Sequence, residues 1–155
     1  MVEKKQIRLG AILLAKGLIT QAQLEAALIE QGISREFLGT ILVNHSIIKQ
    51  QDLLRALSEQ FGIPVVSLKE TYIRWEFVTQ YSPVLIVEHK CFPVSSDEWS
   101  VTFAVVNPLD MWAIKRAEDE SRGLRARFVL ISIADMEEIL GRYREYLRGT
   151  IDKLF

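Results

Sequence analysis

Two short motifs in this sequence carry residue types suited to recognition chemistry. Leu9-Gly10 is followed by Leu24, Leu28 and Gln31, and Leu38-Gly39 is followed by Leu53, Leu57 and Gln60 at the same spacings. Arg8 precedes the first pair and Phe37 the second. A glycine early in an apolar helix costs about 1 kcal/mol relative to alanine. Its recurrence therefore implies that another helix or a ligand approaches the backbone closely at Gly10 and Gly39. Glutamine at a helix end offers both donor and acceptor, which serves a ligand or, equally, a solvated surface. Leucines at helical spacing belong first of all to a core.

Other chemistry is poorly supplied. His45, His89 and the single Cys91 show no metal-ligand spacing. No G-x-x-x-x-G-K-[ST] loop is present to cradle a nucleoside triphosphate, and no nucleophile, base and orienting acid suggest themselves. Trp75, Trp99 and Trp112 read as core or interface residues. Asp97 and Glu98 fall in an expected turn and read as solvated. The stretch QAQLEAALIEQ after Thr20 lacks the Arg and Lys that a DNA-recognition helix needs.

The elements that must position the two motifs are themselves repeated. Residues 8–31 recur 29 positions later as residues 37–60, with eleven identities in 24 positions. This is an internal duplication. Each copy reads as two short helices. In the first, Leu9 to Ala15 is stopped by Gly17. A capping box of Thr20 and Gln23 then opens a second helix, which runs to Gln31 with Gly32 as its cap. In the second copy Gly62 is the stop, and Pro64 follows as a breaker.

Beyond the repeat the texture changes. YIRWEFVTQ reads as helical, and Ser82-Pro83 opens another helix. CFPVS and EWSVTFAVV, joined at Ser96-Asp97, read as a β-hairpin. Asn107-Pro108 breaks the chain, LDMWAIKRAEDES reads as helix ended by Gly123, RARFVLIS as strand, and Ile133 to Leu147 as an amphipathic helix. The expected fold is α+β. A duplicated short-helix unit, residues 1–64, packs on a small α/β sandwich-like unit, residues 65–155, with a sheet of three strands or slightly more.

The tandem motif resembles the MshEN domain, the N-terminal domain of type II secretion and type IV pilus assembly ATPases. Arg8, Leu9, Gly10, Gly17, Leu24, Leu28 and Gln31 match its first motif, and Leu38, Gly39, Leu53, Leu57 and Gln60 its second. FPV, NPLD and RYREY are similar to the rest of that domain. The resemblance implies binding of cyclic di-GMP by a regulatory, non-enzymatic domain, with no metal or cofactor. It implies that the Leu-Gly pairs present backbone N–H groups to phosphate at a helix start, that leucines seat the guanines, and that Gln31 and Gln60 meet base edges. Arg8 would pair with phosphate or lie on a purine plane, and Asn107 and Asp110 would contact guanine. Phe37 and Ser46 stand where the first copy has Arg8 and Gly17. Phe37 would stack on a base in place of the missing cation. The rival expectation within the same family is a docking adaptor that engages an inner-membrane assembly protein without a nucleotide.

Bulk properties fit either reading. Hydrophobic residues make up 49% of 155, enough for a core, and the net charge of −1 offers no footprint for a nucleic-acid polymer. One cysteine precludes an internal disulfide, and MVEKKQIRLG lacks the look of a signal peptide. The expected location is the cytoplasm, at the inner membrane through a partner, with no direct insertion.

Overall fold

In a computed structural model of the chain, residues 2–155 are described, with side chains from residue 9 onward. The chain divides into two compact units, Met1–Ile63 and Pro64–Phe155. The first holds four helices: α1 (Val2–Ala15), α2 (Gln21–Ser34), α3 (Leu38–Asn44) and α4 (Gln50–Phe61). α1 packs on α4 and α2 packs on α3. Exchanging the two copies of the repeat converts one of these contacts into the other, so the unit has an internal pseudo-two-fold axis.

Local signals set most of these helix ends. Thr20 caps α2, its Oγ1 accepting from Gln23 N–H (3.1 Å) while Gln23 Oε1 accepts from Thr20 N–H (2.9 Å). α1 closes with two bonds, Gly17 N–H to Leu14 O and Leu18 N–H to Leu13 O, each 3.0 Å. α3 closes identically, with Ser46 N–H to Val43 O and Ile47 N–H to Leu42 O, each 2.9 Å. This paired closure requires a left-handed residue. Gly17 supplies it at φ 70°, and Ser46 is forced into it at φ 57°. Left-handed backbone costs an L-residue roughly 1–2 kcal/mol, whereas glycine loses only about 0.5–1 kcal/mol of extra chain entropy on folding. Ser46→Gly should therefore raise stability by up to about 1 kcal/mol, read as a higher urea midpoint. An unchanged or lower midpoint would contradict the strain argument.

Two expectations about the repeat are corrected. α2 does not stop at Gly32. It runs on to Ser34, and Arg35 takes the left-handed cap at φ 64°, its N–H bonding Gln31 O. Glycine permits a helix stop without compelling one, and here the chain bears the cost of an interior glycine. α1 begins at Val2 rather than Leu9. Gly10 thus lies deep inside a helix, where backbone N–H groups belong to the helix's own ladder. Only Leu38-Gly39 sits at a helix start.

The second unit opens with a single helical turn, α5 (Trp75–Val78), much shorter than YIRWEFVTQ implied. A π-helical turn, Val84–Glu88, follows. It starts as expected, with Ser82 Oγ accepting from Leu85 N–H (3.3 Å), and closes through His89 N–H to Val84 O (3.2 Å). β1 (Cys91–Ser96) and β2 (Ser100–Val105) form the hairpin, and α6 (Met111–Glu120) crosses over to β3 (Arg125–Leu130). The sheet order is β1-β2-β3, antiparallel then parallel. Pro93, which has no N–H to donate, lies on edge strand β1, where a register shift follows it. α7 (Ile133–Leu154) buries Met136, Ile139, Leu140 and Tyr143, and runs seven residues past the expected end at Leu147. The fold is α+β with a three-stranded mixed sheet, as the sequence implied.

Candidate functional site

The repeated motif residues fall into three groups. Leu9, Leu38 and Leu57 have no exposed surface; their work is to hold the helices together. Leu24 and Leu53 are nearly as buried, at 8% and 3%, and each lies directly over a motif glycine. A Cβ on Gly10 would stand 2.8 Å from Leu24 Cδ1, and one on Gly39 would stand 2.5 Å from Leu53 Cδ1 and 2.9 Å from Phe37 Cε1. What approaches the glycines is therefore the leucine of the following helix in the same copy. The third group is half-buried: Leu28, Gln31, Phe37 and Gln60. Gln31 Nε2 donates to Glu36 O (3.1 Å). Phe37 occupies the cap position of α3 without capping it, its ring lying against Gly39. The side chain of Arg8 lies outside the described residues.

The pseudo-two-fold relation extends to the surface. Lys16 Nζ meets Glu59 Oε1 at 3.0 Å, and His45 Nε2 meets Glu30 Oε2 at 2.8 Å. Lys16 and His45 occupy equivalent positions in the two copies, as do Glu30 and Glu59. One contact is thus written twice across the axis. Both pairs are solvent-exposed and add little stability; their value is as a record of symmetry. The matched Glu30 and Glu59 were visible in the sequence, but their cationic and imidazole partners come from the other copy and were not.

Asn107 and Asp110 belong to the second unit. Asn107 Oδ1 accepts from Leu109 N–H (2.9 Å), which leaves its amide nitrogen as a donor. Asp110 caps α6 by accepting from Ala113 N–H (3.0 Å) through Oδ1, and its Oδ2 lies 2.7 Å from His89 Nδ1. The His89 ring stacks on Trp112 with centroids 4.0 Å apart. Cys91 is a core residue. Burial pushes its thiol up to about 12, with Asp110 and Glu120 adding to the effect, so it is no thiolate nucleophile near neutrality. Among the described residues no group of His, Cys, Asp and Glu is arranged to hold a metal. No helix among them is long and apolar enough to cross a membrane.

Comparison with known proteins bears on both units. Several solved structures share the fold. MshE with cdg (cyclic di-GMP) superposes with a TM-score of 0.73 at 24% identity, over 88% of this chain and 98% of that one. The N-terminal domain of XpsE gives 0.72 at 17% identity, over 90% and 95%. Two curated relatives are type IV pilus assembly ATPases PilB. That of Myxococcus xanthus is 27% identical over 136 residues, 88% of this chain and 24% of its own length. That of Thermus thermophilus is 31% identical over 114 residues, 72% of this chain and 13% of its own length. The chain thus spans less than a quarter of either curated relative. The sequence profile of the MshEN domain matches residues 61–150. That span lies beyond the duplicated motif, which ends at Gln60. With more than half of the residues matched, the chain belongs to the MshEN domain family.

Proposed function

We propose that this chain is a non-catalytic regulatory domain of a type IV pilus or type II secretion ATPase system, and that its first unit binds cyclic di-GMP. The observation that carries the reading is the internal two-fold of α1 to α4. Cyclic di-GMP has two identical halves, each with a guanine and a phosphate. A pseudo-symmetric unit offers each half the same half-buried glutamine, carried on the same packing of leucine over glycine. In this reading Arg8 supplies charge to phosphate or a plane for a purine. Gln31 and Gln60 address base edges, and Leu28 and Phe37 give apolar contact. Leu9, Leu38 and Leu57 keep the helices in place, and Leu24 and Leu53 shield the glycines. Family membership and the fold shared with MshE support the reading. Calorimetric titration of the whole chain with cyclic di-GMP should show one molecule bound per chain. No heat and no thermal shift at about 1 mM ligand would sink it.

A second reading, a docking adaptor, rests on the hairpin tip. Trp99 is 78% exposed there. The turn that presents it is held by Asp97, whose Oδ1 accepts from Trp99 N–H (2.7 Å) and Ser100 N–H (2.8 Å). Those two bonds hold the Asp97 carboxyl below its ordinary range. Exposed tryptophan held on an ordered turn suits an interface anchor. Trp99→Ala should weaken capture of the cytoplasmic region of an inner-membrane assembly protein by about tenfold or more, while leaving the unfolding midpoint in place. Capture indifferent to Trp99 would remove this surface. Capture that changes with cyclic di-GMP would join the two readings into a sensor that docks.

A further inference from the structure

A half-open cavity of about 240 Å³ lies within the second unit, beneath the turn that joins α6 to β3. It is small beside typical ligand sites of ~300–1,000 Å³. Arg74 and Arg122 both line it, with Phe77, Tyr81 and Val101. Among the described residues neither guanidinium has a carboxylate within ion-pair distance. Nor does any described group hydrogen-bond the Tyr81 hydroxyl; the residue is 7% exposed, and that oxygen keeps its contact with solvent. Two solvent-exposed arginines and a tyrosine therefore line one small space with no described acceptor for their donors.

The acid in the wall does not serve them. Glu120 Oε1 accepts from Ser82 N–H (2.7 Å), and Oε2 from Ser82 Oγ (2.9 Å) and Arg116 Nε (2.8 Å). Arg116 meets its charge, which still adds to the upward pull on the Tyr81 phenol. Burial raises the Tyr81 phenol above its ordinary value, with the nearby Arg122 charge pulling the other way, so the phenol remains a protonated donor. Backbone geometry adds an independent mark. Arg122 is held at φ 52°, in the left-handed region, immediately before Gly123 at φ 87°. A position that favours glycine instead carries an arginine, and its side chain reaches the cavity. Arg35, Ser46 and Lys90 also hold left-handed backbone, and of the four only Arg122 lines the cavity.

The geometry points to an oxyanion-binding site at Arg74, Tyr81 and Arg122, taking a compact organic anion whose carboxylate or phosphoryl group meets the two guanidiniums and whose small apolar body rests on Phe77 and Val101. Bidentate pairing with such groups is what guanidinium geometry suits. The site lies wholly in the second unit and is independent of the cyclic di-GMP reading. Phenyl phosphate and benzoate are suitable probes, with benzyl alcohol as the neutral control, titrated into the ¹⁵N-labelled full chain and followed by NMR. Saturable shifts are expected at the amides of Tyr81, Ser96 and Arg122, with half-saturation in about the millimolar range, and weakening with added salt. Arg122→Gly removes the guanidinium while suiting the backbone, so it should weaken binding by about tenfold or more with the unfolding midpoint unchanged or raised. Arg74→Ala should weaken it similarly. Tighter binding of phenyl phosphate would assign the phosphoryl class, and tighter binding of benzoate the carboxylate class. No saturable shift with either anion by about 20 mM, equal shifts with benzyl alcohol, or wild-type binding by Arg122→Gly would overturn the proposal.

Discussion

Replacing Gly39 with alanine should destabilise the protein by about 1–3 kcal/mol, the range for one extra carbon in a closely packed site. The new Cβ would meet Leu53 Cδ1 at 2.5 Å, Leu53 Cδ2 at 2.9 Å and Phe37 Cε1 at 2.9 Å. Leu53 is 3% exposed and has little room to retreat. Gly39 is the second residue of α3, where helix propensity counts least, so alanine gains little there to offset the clash. Gly10→Ala is the internal control. There the three nearest atoms all belong to Leu24, the closest at 2.8 Å and 3.1 Å, and Leu24 is the more exposed leucine at 8%. Gly10 also lies inside α1, where alanine gains about 1 kcal/mol. The gain and the clash there nearly cancel, so Gly10→Ala should fall within about 1 kcal/mol of the parent. Urea midpoints measure both. Leu53→Ala costs stability in its own right, but on that background Gly39→Ala should become nearly neutral, because the methyl groups it strikes are gone. A Gly39→Ala protein as stable as the parent would show that the leucine yields freely, and the glycine would then need another explanation.

The features that the sequence made legible are those decided within one turn of chain. Thr20 and Gln23 could be read as a capping box because both bonds lie within four residues. The hairpin from Cys91 to Val105 could be read because alternation and a polar turn are adjacent. The duplication was visible as repetition. Helix length was not, since no single residue decides it: α2 passes through Gly32, and α7 continues past Leu147 after its buried stripe has ended. Nor could the sequence say what lies against Gly10 and Gly39. A missing side chain marks a close approach without naming the neighbour, and a helix and a ligand remained open until Leu24 and Leu53 were seen over them. Ser46 looked like a departure from the motif, yet its backbone follows Gly17 into the same left-handed turn. The cavity between Arg74 and Arg122 had no local signature, because the two arginines stand 48 positions apart.

Arg8→Ala should weaken cyclic di-GMP binding by about ten- to a hundredfold. A hydrogen bond to a charged group is worth about 1.5–3 kcal/mol, and each 1.4 kcal/mol is about a factor of ten. Arg8 is the only arginine at its motif position, since the equivalent residue of the second copy is Phe37. An internal two-fold axis and a two-fold symmetric ligand together make a stricter demand. A guanidinium moved from one half-site to the other meets the same chemistry on the ligand's other half. Phe37→Arg in the parent should therefore tighten binding, and the double variant Arg8→Ala with Phe37→Arg should recover most of what Arg8→Ala loses. The change has a structural cost, because the Phe37 ring lies against Gly39. The Phe37→Arg proteins should be less stable by about 1 kcal/mol, which denaturation at saturating and zero ligand separates from affinity. If the double variant binds no better than Arg8→Ala while remaining folded, the half-sites are not equivalent. Phe37 then contributes as a ring stacked on a guanine, or the second copy has become a scaffold for the first. Restored binding would mean that the duplication still provides two working halves, one of which has exchanged its charge for an aromatic face.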